Sequence, residues 1–393
     1  MTEVRGSAAI RLLQLTAFAS TFDRFAMPPM LVAISIDLDA PLSEVVTAAS
    51  LYFLVYGLMQ PVWGFVSDSL GRVRTMRLTL CMAGLATISS AFATSPANLG
   101  ATRAVAGAFF GAAYPASLIY IGDTVAVVRR QSEVARLMVG VALGTAAASI
   151  GAGLVADVYT WRAAFAVTGV AALVLFWALR RLPEPDRVAR PRRSGGPLLQ
   201  VAKNRRAVLV LTLAFVEGAV LLGVLTLLPA AVQSTGASQT LAGAVTAVYG
   251  VAVFGGAWLV GRLSRGLHPS WLIALGGSAA VAACLVLAVS RQPPVALAVS
   301  VLLALAWTFM HSSLQTWATE VAPAYRATVV SLFAASLFVG SAAAAAAVAG
   351  LVDAGRYREI FLLAAVAAVP LGVVATWARA SASSLPLAQP TEA

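Results

Sequence analysis

Gly64-Phe65-Val66-Ser67-Asp68-Ser69-Leu70-Gly71-Arg72-Val73-Arg74 is a short charged turn between two apolar runs, 45–67 and 75–94. A turn this brief joins neighbours that lie antiparallel. Each flanking run is about as long as the ~20 residues a helix needs to cross the hydrocarbon of a bilayer. The same alternation continues in both directions. Apolar runs cover 10–34, 45–67, 75–94, 98–121, 136–157 and 162–180, then 206–231, 238–262, 270–290, 293–317, 328–352 and 357–379. The breaks carry turn or charge signals such as Asp39-Ala40-Pro41, Ser95-Pro96, Arg129-Arg130 and Pro293-Pro294. The pattern predicts an all-α membrane protein of twelve transmembrane helices in two pseudo-symmetric six-helix bundles. Residues 1–180 form the first, 181–205 a polar linker rich in Pro and Arg, and 206–393 the second with a short tail.

Composition supports this reading. Of 393 residues, 60% are hydrophobic and 11% charged, against about 25% charged in a soluble domain. The net charge of +11 is spread over short loops without interleaved aromatics, which excludes a nucleic-acid partner. On a twelve-span topology, 21 of the 27 Lys and Arg fall on the side holding both termini and 4 on the other. Basic loops stay in the cytoplasm, so both termini are placed there, in a multi-pass protein of the cell membrane. The first apolar run holds Asp23 and Arg24 and lacks a cleavage site, so it reads as a retained span. Cys81 and Cys284 sit in apolar runs with no partner at metal-ligand spacing, which predicts packed thiols, no metal and no cofactor. No Ser-His-Asp set, HExxH or Gly-x4-Gly-Lys-(Ser/Thr) loop is present, so neither an enzyme nor an ATP-driven pump is expected. A receptor would call for a soluble signalling domain, which the sequence does not contain.

The halves repeat. Moving 197 residues along the chain carries Gly64 to Gly261, Ser67 to Ser264, Asp123 to Glu320, Arg129 to Arg326 and Gly153-Leu154-Val155 to Gly350-Leu351-Val352. One residue out of step, Trp161-Arg162-Ala163-Ala164-Phe165 becomes Tyr357-Arg358-Glu359-Ile360-Phe361. Six spans per repeat make the halves parallel, related by an axis along the membrane normal.

The opening loop resembles the signature loop of the major facilitator superfamily, Gly-x-x-x-Asp-(Arg/Lys)-x-Gly-(Arg/Lys)-(Arg/Lys). It matches at Gly64, Asp68, Gly71 and Arg72 and departs at Ser69 and Val73. Gly57, Pro61 and Trp63 upstream also look like the family's second span. Leu99-Gly100-Ala101-Thr102-Arg103 with Gly107 and Gly111 looks like its second motif, whose arginine is associated with proton transfer. Gly140, Gly144, Gly151, Gly153, Asp157 and Trp161-Arg162 resemble the glycine-rich motif of the drug:proton antiporter branch, with Ala148-Ser149 where Gly-Pro usually stands. The resemblance implies a secondary transporter, expected to export a small apolar or cationic compound against protons. Uptake or facilitated diffusion of a metabolite is the alternative. It also implies a monomer whose partners are a small solute, protons and the lipid bilayer. Gly64, Asp68, Gly71, Arg72 and Asp123 would form a conformational latch, Gly64 giving close helix approach and Asp68 reaching the start of the eleventh span.

Few ionisable residues stand at membrane depth: Asp23 and Arg24 in the first span, Arg103 in the fourth, Glu217 in the seventh and His311 in the tenth. A carboxyl there is a candidate coupling or substrate group. Asp23, Arg103 and Glu217 are the expected coupling residues, with Glu217 facing Asp23 and Arg103 from the other half. Arg103 otherwise snorkels to the outer interface. Trp307, His311 and Gln315 share one face at helical spacing, and with Tyr52, Tyr56 and Tyr114 they are the pocket candidates.

Overall fold

In hydrocarbon a backbone amide has no water to bond, so an apolar segment satisfies itself as a helix. The computed structural model describes residues 2–185 and 197–383. Among them, twelve long helices run up and down in chain order: Thr2–Asp37, Leu42–Leu70, Arg72–Ser90, Pro96–Thr124, Val127–Val158, Trp161–Ala178, Arg205–Gln233, Gln239–Leu263, Pro269–Val289, Pro293–Glu320, Arg326–Asp353 and Tyr357–Ser383. They are called spans one to twelve. Ten are long and apolar enough to cross a membrane on length and composition alone. The other two carry charge: span one holds Asp23 and Arg24, and span three opens with Arg72, Arg74 and Arg77. In the linker, Arg187, Arg190, Arg192 and Arg193 lie outside the described residues. Its last part is not irregular: Pro197–Lys203 is a helix that buries Val201.

The two halves are packed alike. Span one lies on five, two on four and three on six; in the second half, seven lies on eleven, eight on ten and nine on twelve. Small residues permit these contacts. A Cβ on Gly218 would stand 1.8 Å from the Leu337 carbonyl oxygen, and one on Gly340 1.9 Å from that of Phe215. Spans seven and eleven therefore touch backbone to backbone beside Glu217. Gly71 has a different reason for being glycine: its φ of 108° belongs to the left-handed region that a Cβ disfavours, and it turns the chain from span two into span three. A Cβ there would also strike Glu184. That carboxylate accepts hydrogen bonds from the backbone of Val73 and Arg74 at 3.1 Å each, so the linker acid caps span three.

The halves meet through spans two and eleven, five and eight, and one and seven. Among the described residues, every hydrogen bond between them lies at the end away from the termini. Asp157, closing span five, accepts from the Thr240 backbone at 2.7 Å and from the Thr240 hydroxyl at the start of span eight. Asp353, closing span eleven, accepts from the Ser43 backbone at 2.8 Å and from the Ser43 hydroxyl at the start of span two. Gln233 adds a bond to the Pro29 carbonyl at 3.1 Å. Ser43 and Thr240 are 197 residues apart, Asp157 and Asp353 are 196 apart. The repeat therefore builds one clamp twice, each a carboxylate against a helix N-terminus.

This arrangement corrects the expected latch. Arg72 binds Asp68 at 2.6 Å and Asp123 at 3.1 Å, both within the first half. Asp68 does not reach span eleven, and a Cβ on Gly64 would meet nothing within 4 Å. The reason is the conformation: the halves are joined at the far end and apart at the end where these residues sit. In the second half Glu320, the counterpart of Asp123, is held by Arg379 at 2.7 Å.

An acid at a helix N-terminus contributes ~0.3–1 kcal/mol, more when partly buried. Removing both clamps should therefore shift the balance toward far-end opening by roughly threefold to thirtyfold. Spin labels on Tyr159→Cys and Ser234→Cys, in a background with Cys81→Ser and Cys284→Ser, should report a longer distance population in the Asp157→Asn/Asp353→Asn double variant. An unchanged distance distribution would show that the clamps do not hold this end.

Candidate functional site

Asp23 and Arg103 form a buried ion pair in the first half. Arg103 donates to Asp23 Oδ2 at 2.7 Å, to Oδ1 at 3.1 Å and to the Asp23 carbonyl at 3.1 Å. Thr87 on span three donates to Oδ1 at 3.1 Å. Asp23 is fully buried and Arg103 is 1% exposed. The guanidinium also lies over the rings of Tyr52 and Phe165, at 4.6 and 4.7 Å. Arg103 thus turns inward to a bidentate partner and does not snorkel. Both oxygens of Asp23 are occupied, and spans one, three and four are tied together.

The second half answers with Glu217 and His311, whose Nδ1 lies 3.1 Å from Glu217 Oε2. Glu217 is fully buried and its Oε1 has no partner. Both residues stand at irregular turns of otherwise α-helical spans. Glu217 directly precedes a π-helical turn, Gly218–Leu222, and His311 ends another, Trp307–His311. Such turns recur at functional sites because they re-aim side chains at little cost to the helix. His311 stacks on Trp307 with ring centroids 3.8 Å apart and approaches Phe333 at 5.5 Å. Each half therefore places an acid on its first span and a base on its fourth. The pairs differ in chemistry. A guanidinium is charged at any physiological pH, whereas an imidazole is the side chain whose two forms differ by one proton in that range.

Arg24 stands between the halves. It donates to the Tyr56 hydroxyl at 3.3 Å and lies over Phe25, Tyr56 and Phe338 at 4.9, 5.2 and 5.6 Å. Phe338 belongs to span eleven and also stacks on Phe53 of span two. Arg24 is half-buried, its Nε has no partner, and among the described residues it meets no carboxylate. A lone arginine at membrane depth costs ~2.5–3.5 kcal/mol on insertion scales. The cation–π contacts return part of that, ~0.5–1 kcal/mol for a partly exposed pair.

Of the expected pocket residues, Tyr52 and Tyr56 stack at 5.9 Å beside the two arginines. Tyr52 has a buried hydroxyl without a partner. Tyr114 is half-buried and donates to the Met138 sulfur at 3.8 Å. Gln315 is exposed, whereas Trp307 and His311 stack on each other. Glu217 does not face Asp23 and Arg103 directly; it binds His311 in its own half. Sequence reasoning missed that pairing and gave Arg24 no role. The signal for both was the short inventory of membrane-depth charges, each of which needs a partner. A groove of about 430 Å3, lined by Val201, Leu211, Phe215 and Leu332 among others, opens between the linker helix and spans seven and eleven. It contains no charged group and is separate from this constellation.

Comparisons with known proteins agree with this architecture. The sequence profile of the Major Facilitator Superfamily matches residues 13–345. No curated protein sequence matches at a significant level. Among solved structures, the nucleoside transporter NupG superposes with a TM-score of 0.76 at 13% identity, covering 98% of this chain and 100% of that one. A bacterial homologue of the human lysosomal transporter Spinster, inward-facing and unoccupied, gives 0.77 at 16% identity over 96% and 98%. A mutant of the peptide transporter POT in complex with sulfate gives 0.78 at 16% identity over 95% and 94%.

Two outcomes follow from the buried pairs. Arg103→Gln strands a buried carboxylate and should cost about 3–5 kcal/mol. Asp23→Asn added to it should restore most of the loss in thermal unfolding, whereas additive losses would show that the two side chains are not coupled. Imidazolium quenches a stacked indole, so tryptophan fluorescence should fall as pH is lowered. That fall should be reduced in Trp307→Phe and in His311→Asn, and an undiminished titration in both would remove His311 as a proton acceptor.

Proposed function

The chain belongs to the major facilitator superfamily, and on that premise we propose that it is a proton-coupled secondary transporter, carrying a small solute between its halves by alternating access. The observation that carries the reading is the Glu217–His311 hydrogen bond at 3.1 Å. It is the acid–base pair at membrane depth whose base is an imidazole, the side chain that ordinarily exchanges a proton in the physiological pH range. Burial makes that change matter: a charge in the interior must be balanced before the surrounding protein can close over it. The π turns at both ends of the pair give spans seven and ten local places to bend.

With the far end clamped, the structure supports a state open toward the termini. The 21-to-4 distribution of basic residues supports an opening toward the cytoplasm in a multi-pass protein of the cell membrane. The likeness to nucleoside, lysosomal and peptide transporters supports the fold and leaves the solute to the site's own chemistry.

Export of an apolar or cationic compound against protons is the second reading. It is favoured by Asp23, which stands where the antiporter branch carries an acid in span one and is tied to Arg103. Against it, each acid already has a basic partner: Asp23 has Arg103, and Glu217 has His311 at Oε2, with only Oε1 left without one. Uptake and export by one coupled mechanism differ in the gradients imposed, and direction-resolved flux separates them.

The test is transport in proteoliposomes under an imposed pH gradient, with a panel of nucleosides, organic cations and organic anions. One unit of pH coupled to one proton sustains about a tenfold accumulation. Wild type should show such accumulation of a solute from the panel. Glu217→Gln should lose it while keeping exchange of labelled for unlabelled solute. If Glu217→Gln accumulates normally and Asp23→Asn does not, coupling resides at the first-half pair and the second reading gains.

A further inference from the structure

The transport reading leaves the solute unnamed, and the unmatched charge at the centre names its class. Five ionisable side chains lie at membrane depth, and four of them are paired. Arg24 is the remaining one. A guanidinium carries five N–H donors, and the Tyr56 hydroxyl at 3.3 Å is the acceptor this chain supplies. Its neighbour Asp23 cannot serve, because both carboxylate oxygens already accept from Arg103 and one also from Thr87. Arg24 is also the more open arginine. Arg103 is 1% exposed, whereas Arg24 remains half-buried.

Its place matters as much as its charge. Arg24 lies on span one, and the ring of Phe338 above it comes from span eleven. Phe338 follows Leu337, whose carbonyl oxygen packs against Gly218 beside Glu217. A group seated on Arg24 therefore touches both halves and lies against the same turn of span eleven as Glu217.

We infer that Arg24 binds the anionic group of the transported solute, a carboxylate or a phosphate monoester. The fork of Arg24 matches either oxyanion with two parallel hydrogen bonds. The aromatic side chains Tyr56, Phe338 and Trp307 suit an apolar or aromatic body attached to it. The inference rests on the transporter reading and deepens it. It also reverses the charge expected from the sequence, since each carboxylate in the centre is already paired with a base. The Glu217–His311 pair completes the logic. An anion at Arg24 is opposed by ionised Glu217 and favoured once the pair holds an extra proton. The other groups facing the site are the closed Asp23–Arg103 pair and the hydroxyls of Tyr52, Tyr56, Tyr114 and Tyr249. Solute and proton then bind together, and an anion and a proton cross as a neutral load.

Thermal unfolding of the purified full chain in a non-ionic detergent tests this without a flux assay. The probes are benzoate, phenyl phosphate, the short-chain lipid dihexanoyl phosphatidic acid and the cation tetraphenylphosphonium. At least one anion should raise the midpoint of wild type, more at pH 6 than at pH 8. The rise should vanish in Arg24→Gln and persist in part in Arg24→Lys. Unliganded Arg24→Gln should unfold no earlier than wild type, because its guanidinium has no ionic partner to lose. A response to benzoate or phenyl phosphate assigns a soluble solute, and a response to the short-chain lipid alone assigns a lipid headgroup. Stabilisation by the cation alone, an anion response that survives in Arg24→Gln, or no anion response in wild type overturns the inference. If Arg24→Gln does not fold, a full anion response in Arg24→Gln/Glu217→Gln or an absent one in Arg24→Lys overturns it instead. Failure of proton coupling in the Glu217→Gln flux assay leaves these binding results standing, so the two readings fall separately.

Discussion

A bilayer does not tolerate an uncompensated charge at its centre, and the arrangement of this protein's interior follows from that. Asp23 with Arg103 and Glu217 with His311 are placed so that each acid finds a base on a neighbouring span. The pairs also act as internal cross-links. Asp23 gathers spans one, three and four through Arg103 and Thr87, and Glu217 joins seven to ten. Breaking a buried pair by removing one member is severe, about 3–5 kcal/mol, so each half moves as a unit bolted near its middle. What remains free to change is the contact between the units.

That contact is asymmetric along the membrane normal in the conformation described. At the far end, Asp157 and Asp353 each cap the first turn of a span in the opposite half. At the end bearing the termini, Arg72 binds Asp68 and Asp123 within a single half. Glu184 caps span three there and so fastens the linker to the signature loop. Each clamp is worth only ~0.3–1 kcal/mol or somewhat more. A pair of such contacts is strong enough to favour one state and weak enough to be outweighed by a solute or a proton, as an alternating device requires.

The fold was legible because it is written in long-range averages: apolar runs of span length, breaks with Pro, Gly or Arg, and a repeat at one fixed offset. The clamps were half legible. The repeat of Gly153-Leu154-Val155 marked the right corner, but only the fold shows Asp157 reaching Thr240. The pairing of charges was hidden for a specific reason. At the repeat offset Asp23 falls on Val220 and Arg103 on Ser300, so a residue-by-residue comparison finds no second pair. The equivalence is between spans, not positions: Glu217 stands about one helical turn from Val220 and His311 about three turns from Ser300.

The symmetry of the scaffold and the asymmetry of its chemistry are two sides of one requirement. Two like halves can exchange contacts at either end with little net cost, so rocking is cheap in both directions. Identical charges in both halves would make that exchange indifferent to solute and proton alike. Here the first half holds an arginine–carboxylate pair and an extra arginine, and the second half holds a histidine–carboxylate pair. Arg24 lies under Phe338 of the other half, so the residue that has no ionic partner also sits where the halves touch. On the proposed mechanism, the charge of the second half and the occupancy of the first meet at that place. A change at either one would then alter the electrostatic cost of bringing the halves together, and that shared cost would couple the two.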